Sequence, residues 1–141
     1  MDNEDKLRIL ITDDSRTLRR KLRADLEALG CEVIEAANGK EAIMLDLQHE
    51  PDGVLLDIVM PEVGGVETLQ IIREVSPNVP IIMLSSAGTP QKLMQTLKMG
   101  ALDFIQKPYS KDQLVKVVET IRREKAKREA LDKEAKPDEK P

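Results

Sequence analysis

The amino-acid sequence predicts an α/β protein with an open, doubly wound fold, in which a five-stranded parallel sheet is covered on both faces by five helices. Short apolar runs alternate five times with segments of helical periodicity, and the joints between them are short. Strands that are joined by crossover helices pair in parallel. Several of the runs are apolar throughout, which is typical of strands covered on both faces. Five units are too few to close a barrel of the eight-unit kind.

The first half of the chain contains two strand–helix units. A strand is predicted over 7–12 (LRILIT), since the run is short, apolar and contains β-branched residues. Ser15 is suited to cap the helix that follows, whose leucines recur at helical spacing, and Gly30 ends it. A weaker, more polar strand is predicted over 31–36, and Asn38 opens the second helix.

The second half contains three more units, whose starts are marked by proline and serine. Pro80 introduces the fourth strand, Pro90 suits the first turn of the fourth helix, and Ser110 caps the last helix. In chain order we predict a strand over 53–59, a helix over 65–74, a strand over 81–85, a helix from Pro90 to near Gly100, a strand over 102–106, and a last helix with Leu114, Val117, Val118 and Ile121 on one face.

Length and composition indicate one globular domain. The 141 residues suffice to bury a core, and the net charge of −4 argues against nucleic acid or an anionic membrane as the main partner. Cys31 has no second cysteine to pair with, and no apolar stretch is long enough for a signal peptide or a membrane span. We therefore expect a cytoplasmic protein with its domain over 1–121 and a charged helical extension or tail over 122–141.

The stretch VLLDIVM contains one carboxylate, that of Asp57, in an otherwise apolar run. A buried charge is costly unless it is paired, binds a metal or is neutralised. In open α/β sheets, ligands bind beyond the carboxyl ends of the strands. Asp13 and Asp14 follow strand one, Asp57 lies at the end of strand three, Ser85 ends strand four, and Lys107 follows strand five. We expect these five side chains at one edge of the sheet.

This set of side chains indicates phosphoryl chemistry assisted by a metal ion. Three neighbouring carboxylates repel one another and therefore favour a bound cation, and oxygen ligands with room for water suit Mg²⁺. Asp57 is then a plausible nucleophile toward phosphorus, with Mg²⁺ and Lys107 neutralising the transferring group. Each feature is common on its own, because Asp-Asp-Ser before a helix is usually an N-cap cluster. Their placement at four strand ends carries the prediction.

Four stretches of the sequence together resemble the receiver domain of two-component response regulators, and the resemblance extends over about 7–121. It implies the flavodoxin-like (βα)5 arrangement and transfer of a phosphoryl group from a sensor histidine kinase to Asp57. It also implies that Asp14, Asp57 and the backbone carbonyl of Val59 bind Mg²⁺, with Asp13 helping through water. The four stretches are DDS at 13–15, LLDIVMPEVGG at 55–65, MLSSA at 83–87 and DFIQKP at 103–108.

The resemblance implies further roles near the phosphorylation site. The Ser85 hydroxyl would turn toward the phosphoryl group, Phe104 would move with it, and the peptide bond between Lys107 and Pro108 would be cis. Pro61 and Gly65 match the loop after the phosphorylation site.

The sequence departs from the best-known chemotaxis members at Val59 and Ala87, whose side chains cannot hydrogen-bond a water. Because neither side chain can assist an attacking water, we expect slow loss of the phosphoryl group. Phe104 also differs from many relatives, since it lacks the hydroxyl of their tyrosine.

The most direct reading is a stand-alone, chemotaxis-type receiver, a monomer or weak dimer that catalyses its own phosphoryl transfer and slow dephosphorylation. By resemblance, it would bind a downstream protein through helix four, strand five and helix five, over 91–99, 102–105 and 110–121. Two alternatives share this chemistry: a phosphorelay intermediate that passes the group to a second histidine, and a receiver fragment of a larger regulator.

A third alternative is an enzyme on the same topology. An aspartate-nucleophile phosphatase usually has a second carboxylate two residues after the nucleophile, where this chain has Val59. A nucleotide-binding protein would need glycines after strand one, where this chain has Asp13 and Asp14.

Overall fold

A computed structural model of the chain describes residues 6–86 and 90–135, so that Ala87 lies outside the described residues. Five strands form one parallel sheet in the order β2-β1-β3-β4-β5, which confirms the predicted fold class. In chain order the elements are β1 Arg8–Thr12, α1 Arg16–Ala28, β2 Glu32–Ala36, α2 Gly39–His49, β3 Gly53–Asp57, α3 Gly65–Val75, β4 Ile81–Ser85, α4 Pro90–Lys98, β5 Asp103–Gln106 and α5 Lys111–Ala135.

The order of the strands places a crevice at the carboxyl ends of β1 and β3. The chain first moves outward from β1 to β2, then returns past β1 and continues through β3, β4 and β5 in the opposite direction. At such a reversal, the loops after the two central strands separate and leave space for a ligand.

The core consists of two layers, one on each face of the sheet. Ile9, Ile11 and Leu55 pack against α1 and α5 on one face. Leu10 and Leu56 pack against α2, α3 and α4 on the other face. Successive strand residues point to opposite faces of the sheet. The strands that were predicted to be covered by helices on both faces therefore contribute residues to both core layers.

Side-chain caps fix three of the helix starts, as the sequence predicts. The Ser15 hydroxyl accepts a hydrogen bond from Leu18 N at 3.2 Å, and Asn38 Oδ1 accepts one from Glu41 N at 2.9 Å. Ser110 and Gln113 cap each other's backbone N–H groups at the start of α5, at 2.8 and 3.1 Å. These contacts satisfy N–H groups that have no partner within the helix.

One strand ends earlier than predicted, and the last helix extends past its apolar face. β3 ends at Asp57 rather than at Val59, because the chain leaves the sheet there: Ile58 stays buried, while Val59 is 57% exposed. α5 continues beyond the apolar face that ends at Ile121 and runs to Ala135. An ion pair of 3.5 Å between Lys125 and Asp52 holds the first part of this extension against the base of the sheet. No helix in the described part of the chain is long and apolar enough to cross a membrane.

Candidate functional site

The three predicted aspartates meet at the crevice between β1 and β3. Asp13 follows β1 and is buried, Asp57 is the last residue of β3 and is also buried, and Asp14 beside them is exposed. One carboxylate oxygen from each lies within 4.8 Å of the other two. These residues fit a hard divalent cation, because carboxylate oxygens are its preferred ligands and the exposed side leaves room for water.

Lys107, which directly follows the edge strand β5, completes the cluster. Its Nζ lies 2.8 Å from Asp13 Oδ2 and 3.2 Å from Asp57 Oδ2. The backbone N–H of Lys107 donates to the carbonyl of Ser85 at 2.7 Å, which fixes the lysine at the end of β5. The peptide bond between Lys107 and Pro108 is cis, as the resemblance implies.

The charges in the cluster do not balance, since three carboxylates face one ammonium group. Burial raises the pKa of Asp57, and the charge of Asp13 raises it further, while Lys107 and the backbone N–H of Val59 oppose the rise. Burial by itself lowers the pKa of Lys107, but its contacts with Asp13 and Asp57 outweigh burial and the pKa is raised. The site therefore has an excess of negative charge that a cation would relieve.

The turn that carries Asp13 and Asp14 is held by a contact that the sequence pattern did not reveal. Arg19 Nη1 donates to the carbonyl of Asp13 at 2.8 Å, and its Nε is paired with Glu35 at 2.8 Å. The Asp13 carboxylate also accepts a hydrogen bond from Ser15 N at 2.9 Å. Arg19 and Glu35 thus anchor the turn that carries Asp13 and Asp14 to α1 and β2. An arginine one turn into a helix carries no distinctive sequence signal.

Gly65 allows α3 to begin close to the end of β3. Its N–H donates to the carbonyl of Ile58 at 2.9 Å. A Cβ at this position would collide with the carbonyl oxygen of Asp57 and would lie 2.5 Å from Ile58 Cα. The loop after Asp57 can therefore fold back only over a residue without a side chain.

Ser85 and Phe104 lie on the neighbouring strands, as predicted. Ser85 ends β4 and is 1% exposed, and its hydroxyl donates to the carbonyl of Ser86 at 2.8 Å. Because Asp57 pairs with Leu84, Ser85 lies one residue farther along the same edge. Phe104 is half-buried and packs against the core layer under α2, α3 and α4.

Tyr109 is a second residue near the site that sequence reasoning did not single out. Its hydroxyl donates to Asp25 Oδ2 on α1 at 2.7 Å, and it lies two residues after Lys107. A signal was present, since this is the chain's one tyrosine and it follows directly on the Lys-Pro pair.

Comparison with known proteins defines the class to which this fold and site belong. The model of the response regulator receiver domain matches residues 9–119, and the chain belongs to this family. Receiver domains are phosphoacceptors that bind Mg²⁺ at an acidic pocket, and the aspartate cluster corresponds to such a pocket.

Individual relatives include both short and long proteins. The chain is 36% identical to the chemotaxis protein CheY of Thermotoga maritima over 81% of this chain and 96% of that protein. It is 40% identical to "Probable transcriptional regulator ycf27" of Guillardia theta over 81% of this chain, but spans only 44% of that protein. Its structure resembles NtrX from Brucella abortus with a TM-score of 0.84 and 30% identity, over 90% of this chain and 30% of NtrX.

Proposed function

We propose that Asp57 is the residue that accepts a phosphoryl group, in a Mg²⁺-dependent reaction with the phosphohistidine of a sensor histidine kinase. The observation that carries the proposal is the position of the buried Asp57 carboxylate, which lies beside both Lys107 and the Asp13–Asp14 pair. Its nearest ammonium lies 3.2 Å away, and one oxygen from each of the three carboxylates lies within 4.8 Å of the others.

The proposed transfer is a displacement at phosphorus. An oxygen of the Asp57 carboxylate attacks the phosphorus atom, an O–P bond forms, the P–N bond to the donor imidazole breaks, and its electron pair returns to the imidazole nitrogen. Lys107 lies where its ammonium can balance charge on the phosphoryl oxygens. Asp14, Asp57 and the carbonyl of Val59 would hold Mg²⁺, with Asp13 acting through water. When bound, the ion supplies further charge neutralisation.

A mass measurement tests the acceptor. The protein is incubated with a small phosphodonor and Mg²⁺, and we expect the mass of one phosphoryl group to be added. Asp57→Asn and excess chelator should each abolish the gain. Asp112→Asn is the matched control, since it removes an exposed surface carboxylate on α5 and should leave the gain intact. A gain that persists in the Asp57 variant, or in chelator, contradicts the proposal.

We also propose that the acyl phosphate is long-lived. Val59 is exposed beside the site, and its side chain can neither position nor polarise a water. Ala87 has the same limitation by its chemistry. Introducing Val59→Asn together with Ala87→Glu should speed hydrolysis by roughly 10² if positioning of water limits the rate. An unchanged decay in the double variant would exclude this explanation.

The signal is proposed to pass through Ser85 and Phe104 to the surface formed by α4, β5 and α5. A phosphoryl oxygen would accept a hydrogen bond from the Ser85 hydroxyl, and Phe104 would rotate inward. Amide spectra with and without beryllofluoride and Mg²⁺ test this in wild type and in Ser85→Ala. We expect the responses of α4 and Phe104 to be lost in the variant. Identical responses would show that the route is wrong.

We infer that the target is a protein and that the chain acts in the manner of a stand-alone receiver. Support comes from the match to 96% of the Thermotoga maritima chemotaxis protein. The match to 44% of ycf27 supports the alternative of a receiver within a longer regulator. The full reading frame decides between them. The phosphorelay alternative predicts that purified phosphorylated protein loses its group to a histidine phosphotransfer domain faster than to water.

A further inference from the structure

We propose that Tyr109 and Asp25 form a latch that holds Lys107 in position for phosphoryl transfer, which makes both of them positioning residues. The inference rests on the proposed function of Asp57 and Lys107. The latch is the hydrogen bond of 2.7 Å from the Tyr109 hydroxyl to Asp25 Oδ2. It joins the loop over 107–110 to the C-terminal part of α1.

The loop is attached to the β1–α1 unit at two separate points. Lys107 binds Asp13, just before α1 begins, and Tyr109 binds Asp25, farther along α1. These are the side-chain hydrogen bonds between residues 107–110 and that unit within the described part of the chain. The two residues are separated by Pro108 alone, so a displacement of the Tyr109 backbone is transmitted to Lys107 over a short, stiff connection.

The Tyr109 ring packs against the edge of the core layer under α1 and α5, and the hydrogen bond of its hydroxyl adds a fixed contact at the outer end of the ring. The ring and Lys21 together line two cavities, one of about 330 Å³ toward α5 and one of about 370 Å³ toward Lys107. The two pockets leave a phenylalanine ring room to shift at its outer end. The bond from the hydroxyl selects the position seen in the structure. Lys21 reinforces this choice, since its Nζ lies 2.9 Å from Asp25 and 5.2 Å from the ring centroid.

The latch matters most when the phosphoryl group arrives. Lys107 then has to turn from Asp13 toward the oxygens of the new group, which weakens the 2.8 Å contact with Asp13. The contact between Tyr109 and Asp25 is not involved in the reaction and remains in place. It therefore keeps the loop docked while the ammonium group changes partner.

Phosphorylation rates in matched variants test the latch. Tyr109→Phe and Asp25→Ala, which remove the donor and the acceptor of this hydrogen bond, should each slow the reaction with a small phosphodonor and Mg²⁺ by about tenfold, because a displaced Lys107 stabilises the transferring group poorly. Ser76→Ala is the control, because it also removes a hydrogen bond from a hydroxyl to a carboxylate. That bond, of 2.5 Å to Asp46 on α2, lies on the opposite face of the sheet, so its loss should leave the rate unchanged.

A double-mutant cycle separates positioning from general loosening of the fold. If the latch acts through Lys107, Tyr109→Phe should have no further effect on the rate in a Lys107→Ala background. Slowing of equal size in both backgrounds, or an unchanged rate in Tyr109→Phe, would overturn the inference.

A second measurement does not depend on phosphoryl chemistry. The amide resonance of Lys107, whose N–H binds the Ser85 carbonyl, should shift in both latch variants and remain in place in Ser76→Ala. An unmoved Lys107 amide in the latch variants would refute the latch directly. If instead the amide shifts but the wild type accepts no phosphoryl group at Asp57, the latch stands and the proposed function fails.

Discussion

Replacing Gly65 with alanine should destabilise the fold and disturb the candidate site together. The new Cβ would lie 2.5 Å from Ile58 Cα and 2.9 Å from the carbonyl oxygen of Ile58, and would collide with the carbonyl oxygen of Asp57. Carbon atoms in contact are about 3.5 Å or more apart, so the backbone has to shift by about 1 Å. No flexible side chain can yield instead. We expect a loss of about 3 kcal/mol in unfolding free energy, at the upper end for overpacking.

The neighbouring Gly64 provides the matched control. A Cβ there would meet nothing closer than 3.9 Å, so Gly64→Ala should lose only the preference of the N-cap position for glycine over alanine, about 1 kcal/mol or less. Urea unfolding gives the free energies, and phosphorylation with a small phosphodonor gives the rates. Displacing Asp57 by about 1 Å should slow the reaction by roughly 10². Helix propensity alone predicts that Gly65→Ala would raise the unfolding free energy, since alanine is favoured over glycine in helices. A Gly65 variant as stable and as reactive as the Gly64 variant would refute this reasoning.

Three further predictions concern Asp57, a second buried carboxylate and the packing of α5. Asp57→Asn should raise the unfolding free energy at neutral pH, because burial raises the pKa of Asp57 and its ionisation opposes folding. Thermal unfolding should show Mg²⁺ stabilising the wild type much more than the variant. Burial also raises the pKa of Asp46, so the wild type loses stability as pH rises from the ordinary aspartate pKa through the raised folded-state pKa. In urea titrations the unfolding free energy of Asp46→Asn should therefore increase relative to that of the wild type as pH rises above about 4. Ile121→Ala, at a fully buried position, should lose about 2–5 kcal/mol, whereas Leu131→Ala, at a position 63% exposed, should change the unfolding free energy by less than about 0.5 kcal/mol.

The fold and the meeting of the charged side chains at one edge of the sheet could be predicted, because both follow from the order and the ends of parallel strands. Once the apolar runs are assigned, Asp13, Asp57 and Lys107 necessarily face the same edge of the sheet. The exact end of β3 could not be predicted, because the apolar run continues to Val59. An unbroken apolar run does not reveal where a chain leaves a sheet, and Val59 proved to be exposed although it follows a buried strand.

The contacts that support the site were beyond sequence reasoning for a different reason. Arg19 reaches the carbonyl of Asp13, and Tyr109 reaches Asp25, through particular side-chain conformations. Periodicity determines which face of a helix a residue lies on but not which partner its side chain selects. The length of α5 could not be predicted from the sequence either. Charge pairs along a helix contribute only about 0.2–0.5 kcal/mol each. Contacts with the body of the domain, such as that of Lys125 with Asp52, also determine how far the helix extends, and only the structure reveals them.

The electrostatic arrangement at Asp57 links the stability of the domain to the reactivity that we propose. Burial and the nearby charge of Asp13 raise the pKa of the Asp57 carboxyl, and a more basic carboxylate is a stronger nucleophile toward phosphorus. The same two effects oppose folding while Asp57 is ionised. Lys107 offsets part of this cost but balances only one of the three negative charges. A substitution that relieves the strain at Asp57 by opening the site to water should therefore gain stability and lose reactivity together, in the manner of other stability–activity trade-offs.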